Sequence, residues 1–215
     1  MPPHPRVFEY CDVPPPFAPG QSPFHIKGQF YIQALKALRR IDKPLAELLP
    51  EDLRAFCSQE FLASQWYDVL PFPRLAMIEA EARQCDVREL TRQQAQRAAE
   101  HGLKGVYRLF LPLVLTQNMA LRGLGVRMVS AIKQFYDFGP AEVVEPSDSH
   151  TLTVERRDVP LCMIEWWSIN ATGYAERALV LAGLKEPALT YRYEQTGSAH
   201  GVPVGRVVIT IERAR

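Results

Sequence analysis

From His25 the apolar positions of this chain recur every three or four residues, and from Gly139 they recur every two. The first spacing predicts helices and the second predicts half-buried strands. Tyr31, Leu35, Leu38 and Ile41 lie on one helical face, with Arg39 and Arg40 late in the segment, where cations suit the helix dipole. Pro50 followed by Glu51 and Asp52 starts a second helix carrying Leu53, Phe56 and Cys57. SQWYDVLPF (64–72) reads as a short aromatic connector. Pro73 opens a third helix, RLAMIEAEARQC, striped by Leu75, Ile78, Ala82 and Cys85. Thr91 is expected to cap a fourth, RQQAQRAAEHG, ended by Gly102; it is polar on most of its surface and is expected to lie outermost. Residues 103–118 and 119–136 predict two more apolar helices. Pro112 should kink or break the first. Gly123 and Gly125 in the second should admit another helix at close range.

After Gly139, AEVVE (141–145) and HTLTVER (150–156) alternate around PSDS, a turn composition. Leu152 and Val154 point to one face. LTYRYE (189–194) and GRVVITIER (205–213) alternate in the same way, with QTGSAHGVPV as the loop of a long hairpin. Between the pairs lies LCMIEWWSINATGYAERALVLAG, a helix over about 160–182. The pattern predicts an α+β fold: an N-terminal helical bundle, then a four-stranded antiparallel sheet with one long helix packed on it. Residues 1–24, with PPPFAP at 14–19, read as a proline-rich extended tail. Residues 25–215 read as one domain, helical over 25–138 and sheet-forming over 139–215.

Composition removes several functions. Lysine plus arginine, 25, nearly cancels aspartate plus glutamate, 24, which leaves no electrostatic case for nucleic acid. The most apolar run, LFLPLVL (109–115), is too short to span a bilayer. The start of the chain lacks the basic and apolar regions of a secretory signal, so a cytoplasmic location is expected. Cys11, Cys57, Cys85 and Cys162 form no C-x-x-C pair, and His4, His25, His101, His150 and His200 are scattered. Reduced thiols and no metal site are expected. No serine elbow, cysteine–histidine arrangement or phosphate-cradling glycine loop is present; GLKG (102–105) and GLG (123–125) are too short.

The order of helical part, hairpin, long helix and closing hairpin resembles the heme–nitric oxide-binding domains and the related 4-vinyl reductase-type ligand-binding domains. HIKGQFYIQALKAL, LLPEDLRAF, SQWYDVLPF and GLGVRMVSAIKQFYDFGPAEVV also resemble an uncharacterised protein family abundant in myxobacteria. The resemblance covers roughly residues 25–212. It implies heme, but the heme-binding family's Tyr-x-Ser-x-Arg motif falls on TLTVERRD, where only Arg156 or Arg157 matches. The family's proximal histidine has His101 as its one internal counterpart, at the end of a polar helix. The reading therefore takes no cofactor.

What remains is aromatic. Trp66, Tyr67, Tyr107, Phe110, Tyr136, Trp166, Trp167 and Tyr174 are the large rings at the expected bundle–sheet junction, and Trp66, Tyr67, Tyr107, Phe110, Trp166, Trp167 and Tyr174, with Asn170 as a hydrogen-bonding group, are the candidate ligand-binding residues. Adjacent helical positions point about 100° apart, so one of Trp166 and Trp167 is expected under the sheet and the other toward the bundle. Gly173 should let a neighbouring helix cross closely. Glu165 is expected at the surface or paired with a nearby arginine, with a buried carboxylate of raised pKa as the functional alternative. The expected function is a non-catalytic sensor or binding domain for a small hydrophobic or aromatic molecule. A homodimeric or adaptor interaction module with a filled core is the alternative, and an enzyme acting on a small molecule is a third reading.

Overall fold

The computed structural model describes residues 7–11, 15–102, 121–144, 151–181, 184 and 186–212. The expected helix over 103–118 with Pro112, the PSDS turn, Tyr107 and Phe110 lie outside the described residues. Along the described chain run β1 (His25–Lys27), α1 (Gly28–Leu38), α2 (Leu45–Leu48), α3 (Glu51–Cys57), β2 (Trp66–Asp68), α4 (Phe72–Arg83) and α5 (Val87–Gly102). Then follow α6 (Leu121–Phe135), β3 (Ala141–Val144), β4 (Thr151–Pro160), a 3-10 turn (Leu161–Met163), α7 (Ile164–Leu181), β5 (Ala188–Ala199) and β6 (Val202–Glu212). The fold is α+β, with an antiparallel sheet in the order β3-β4-β6-β5.

The apolar face of that sheet carries Leu152, Val154, Val207, Ile209 and Ile211, all buried. Helix α6 covers β3 and β4, and α7 covers β5 and β6. Gly125 makes the first contact possible: a Cβ there would lie 2.7 Å from Leu152 Cδ1 and 2.8 Å from Val143 Cγ2. The close approach expected of this glycine is to the sheet, not to another helix.

Helix α7 is sandwiched between sheet and bundle, as its all-round apolar sequence requires. Its bundle-side partner is α5. The polar fourth helix is therefore not peripheral. Val87, Thr91, Ala95 and Ala99, four residues apart, make a narrow buried stripe of small side chains on it. A Cβ on Gly173 would meet the Arg92 carbonyl at 3.1 Å and Ala95 Cβ at 3.3 Å. Ion pairs flank the seam: Arg88–Glu165 at 2.6 Å, Arg92–Glu176 at 2.8 Å and Arg177–Glu100 at 2.7 Å. Gly173→Leu is expected to force the helices apart and cost about 1–3 kcal/mol, read by urea unfolding.

Three local expectations are corrected. Thr91 is not the cap of α5; Asp86 is, accepting from the Arg88 and Glu89 N–H groups at 2.7 and 3.1 Å. Thr91 lies one turn inside, and its hydroxyl donates to the Val87 carbonyl at 2.8 Å. QTGSAHGVPV is not a long loop: β5 and β6 continue through it to the pair Ala199↔Val202. His200 (φ 52) and Gly201 (φ 77) form the two-residue turn, with the positive φ values that a tight hairpin needs. His25 begins a strand rather than a helix, because β1 pairs with β2 through His25↔Asp68, Ile26↔Tyr67 and Lys27↔Trp66.

The proline-rich start does more than lie on the surface. Phe8, Ser22 and Phe24 are buried. The Asp68 carboxylate holds residues 20–22, accepting from the Gly20 and Ser22 N–H groups at 2.9 and 3.2 Å and from the Ser22 hydroxyl.

Candidate functional site

Strand β4 puts Leu152, Val154 and Arg156 on one face. The row therefore ends in a charge on the apolar side of the sheet, where Arg156 is 1% exposed. The β4–β6 register shifts between Arg156 and Val159, with Asp158 at φ 53. That bulge follows the arginine directly and terminates the regular row.

The segment 136–139 wraps over the guanidinium. Its carbon centre lies 4.4 Å from the Phe138 ring, 4.8 Å from the Trp167 ring and 5.0 Å from the Tyr136 ring. Gly139 (φ +64) lets the backbone pass here: a Cβ would strike the Arg157 carbonyl oxygen and approach Arg156 Nε at 3.5 Å. Arg156 Nη2 donates to the Phe138 carbonyl. Nε and Nη1 are buried with no partner, and so is the indole Nε1 of Trp167. Burial pulls the Arg156 pKa down to about 10, against the opposing pull of Tyr136 and Asp137, so the group remains a cation at neutral pH. Asp137 does not neutralise it directly, because its two oxygens accept from the His25 N–H and lie on His25 Nδ1, each at 2.7 Å.

The cage is thus three aromatic faces around a cation, with three donor atoms lacking acceptors. Buried donors of that kind are uncommon and costly. Their chemistry matches an acceptor-rich anion such as a carboxylate. Burial raises the pKa of the Tyr136 phenol, which stays neutral and donates to Asn170 Oδ1 at 3.4 Å.

The candidate aromatic residues divide into separate places. Trp167 lies in the cage, and Asn170 touches it through Tyr136. Tyr174, half-buried one turn further along α7, has its phenol pKa raised by burial. Trp166 turns the other way, to Phe72 at 5.0 Å. Trp66 and Tyr67 lie on β2. Trp66 is 38% exposed under Lys27 Nζ at 3.6 Å, and Tyr67 packs on Phe61 at 4.7 Å. Glu165 is buried and paired: Arg88 grips it with bonds of 2.6 and 3.2 Å, and the Glu9 N–H donates to it at 2.6 Å. Tyr136, one of the aromatic residues expected at the junction, lies in the cage, whereas Arg156 and Phe138 were not among the candidates. The period-2 row of β4 held the signal for Arg156.

No protein-family model matches the chain, and no curated protein matches it. Solved structures do. A mutant H-NOX from T. tengcongensis superposes with a TM-score of 0.52 over 88% of this chain and 98% of its own, at 14% identity. A mutant Fe(II) unliganded H-NOX protein from K. algicida gives 0.53 over 88% and 97%, at 12% identity. The chain has the H-NOX fold. A further neighbour, described as modulating heme redox potential through protein-induced porphyrin distortion, gives 0.50 over 87% and 99%, at 15% identity.

The fold family implies heme, and heme iron needs an axial donor. Among the described residues of this H-NOX-fold chain, His25 is held by Asp137, and His200 forms the hairpin turn against Phe24 at 5.7 Å. His101 is exposed, with Nδ1 on the Arg97 carbonyl at 2.7 Å. Residues 103–120 contain no histidine or cysteine. Burial pushes the Cys57 and Cys162 thiols up to about 11, so neither is a thiolate at neutral pH. Four and two residues before Arg156, where the motif carries tyrosine and serine, stand the buried Leu152 and Val154. These residues fit an anionic group at Arg156 and do not fit heme.

Proposed function

We propose that this chain is a ligand-binding sensor domain without heme, whose ligand joins a carboxylate or similar anion to a flat apolar body. The observation that carries the reading is the set of unpartnered buried donors at Arg156 and Trp167, enclosed by Tyr136, Phe138 and Trp167. The anion would accept from one of the two free Arg156 donors, Nε or Nη1, and from the Trp167 N–H, and the apolar body would replace ring contacts now made within the cage. Because those rings pack on the guanidinium, binding would displace Trp167 and shift α7. The ion pairs to α5 would carry that shift to the surface. The described residues of the cage offer a cation, N–H donors and ring faces, which suit the binding of an anion with an apolar body.

Native mass spectrometry of the purified protein tests this, before and after incubation with a panel of aromatic carboxylic acids and, separately, with hemin. One acid retained at one per chain, quenching tryptophan fluorescence, is the expected result. A stable hemin complex with a Soret band, or indifference to every acid in the panel, would sink the reading.

A further inference from the structure

Among the described residues the sheet has β5 at one edge, and the polar face carries a row of charges that runs to it. Glu142 on β3 pairs with Arg157 on β4, and Arg157 Nε also donates to Glu155 at 2.7 Å. Glu155 accepts from Arg206 on β6 at 3.4 Å, and Arg206 pairs with Glu194 on β5. The row alternates minus, plus, minus, plus, minus and stops. Arg192 shares the face of Glu194, is exposed, and has no acidic partner among the described residues. On the opposite face Tyr191 and Tyr193 stack at 6.2 Å, and Tyr10 meets Tyr193 edge-on at 6.4 Å. Tyr191 is 37% and Tyr10 44% exposed.

A long edge strand invites another strand, and a charge on it ordinarily blocks that addition. Here the block is self-complementary. We propose that β5 is a homodimer interface in which two copies pair antiparallel about a twofold axis at Tyr193, joining the two sheets into one. In that register Arg192 faces the partner's Glu194, and Glu194 faces the partner's Arg192. The next pairs place Tyr191 opposite the partner's Gln195 and Tyr193 opposite the partner's Tyr193. The charge row then continues across the axis with its alternation intact, and the exposed rings gain cover. The bulge between Gln195 and Gly197 ends the matched stretch. This surface is separate from the ligand site, because β6 lies between the β5 edge and Arg156 on β4.

Sedimentation equilibrium of the full chain, with charge-reversal variants, tests the register. The wild type is expected to dimerise, more weakly as salt rises. Arg192→Glu and Glu194→Arg should each weaken the dimer by about tenfold or more. The double variant Arg192→Glu/Glu194→Arg should restore it, and a mixture of the two single variants should form a heterodimer while neither pairs with itself. Arg192→Glu breaks no ion pair among the described residues of its own chain, so thermal melting should show it folded as the wild type. A monomeric wild type, a dimer indifferent to both reversals, or a double variant that stays monomeric would overturn the proposal.

Discussion

Arg156→Met is expected to make the ligand-free protein more stable and to abolish binding of aromatic carboxylates. The two effects share one cause. A pKa lowered to about 10 from the usual 12.5 means that the native state disfavours the cation by roughly 3 kcal/mol. Contact with three rings returns part of this, and the bond to the Phe138 carbonyl is lost in the variant. A net gain of about 1–3 kcal/mol follows, in line with replacing buried charge by an apolar side chain of similar volume. Paired urea titrations of the two proteins measure it. The sign also fixes a pH dependence. The folded pKa is depressed, so the cost is fully present below pH 10, where Arg156 is charged in both states. Above pH 10 the folded state loses its proton first, stability rises, and the difference between wild type and variant shrinks. A variant less stable than the wild type that still binds the acids would remove Arg156 from the site altogether. Arg156→Lys keeps the charge but not the planar fork, and is expected to bind weakly.

Asp68→Ala is expected to cost about 3–5 kcal/mol, the largest loss from a single side chain on the helical side. Asp68 is 3% exposed at the end of β2. Its two oxygens accept from the N–H groups of Gly20, Ser22 and Leu70 at 2.9, 3.2 and 2.9 Å and from the Ser22 hydroxyl. Truncation leaves those donors without acceptors, at about 1–3 kcal/mol for each that stays buried. Hydrogen exchange should then rise over residues 18–22 before the rest of the chain, because this carboxylate ties Gly20 and Ser22 to the β1–β2 ribbon. Asp68→Asn keeps one acceptor oxygen and should fall between. A loss below about 1 kcal/mol for the alanine variant, with unchanged exchange, would mean the segment is held by Phe8 and Phe24 packing instead.

How much of this was legible in the sequence depends on the range of the interaction. The α3, α4 and α7 segments and the strands of the main sheet follow from local periodicity, because one apolar face fixes both element type and orientation. The three-residue strands β1 and β2 left no such trace, since alternation over three residues is indistinguishable from chance. Thr91 and Asp86 are both competent caps, and only the start of the helix decides between them. The polar composition of α5 concealed its role, because a stripe of Val87, Thr91, Ala95 and Ala99 adds little hydrophobicity yet suffices where the partner offers Gly173.

The aromatic candidates show the same limit. Composition singled out large rings, but not which of them meet. Two neighbouring indoles on α7 diverge as helical geometry requires, yet only the tertiary structure sends Trp166 to Phe72 and Trp167 to Arg156. The sequence by itself determined the types of the longer elements, the antiparallel sheet with one covered face, and the place of α7 between sheet and bundle. Each is written in the spacing of apolar residues within one segment. The tertiary structure decided that a cation closes an apolar row, that three of its neighbouring donors and rings converge there, and that the polar face ends in an unmatched charge at its edge. Those facts depend on register between strands far apart in the chain, where a shift of one residue exchanges the faces.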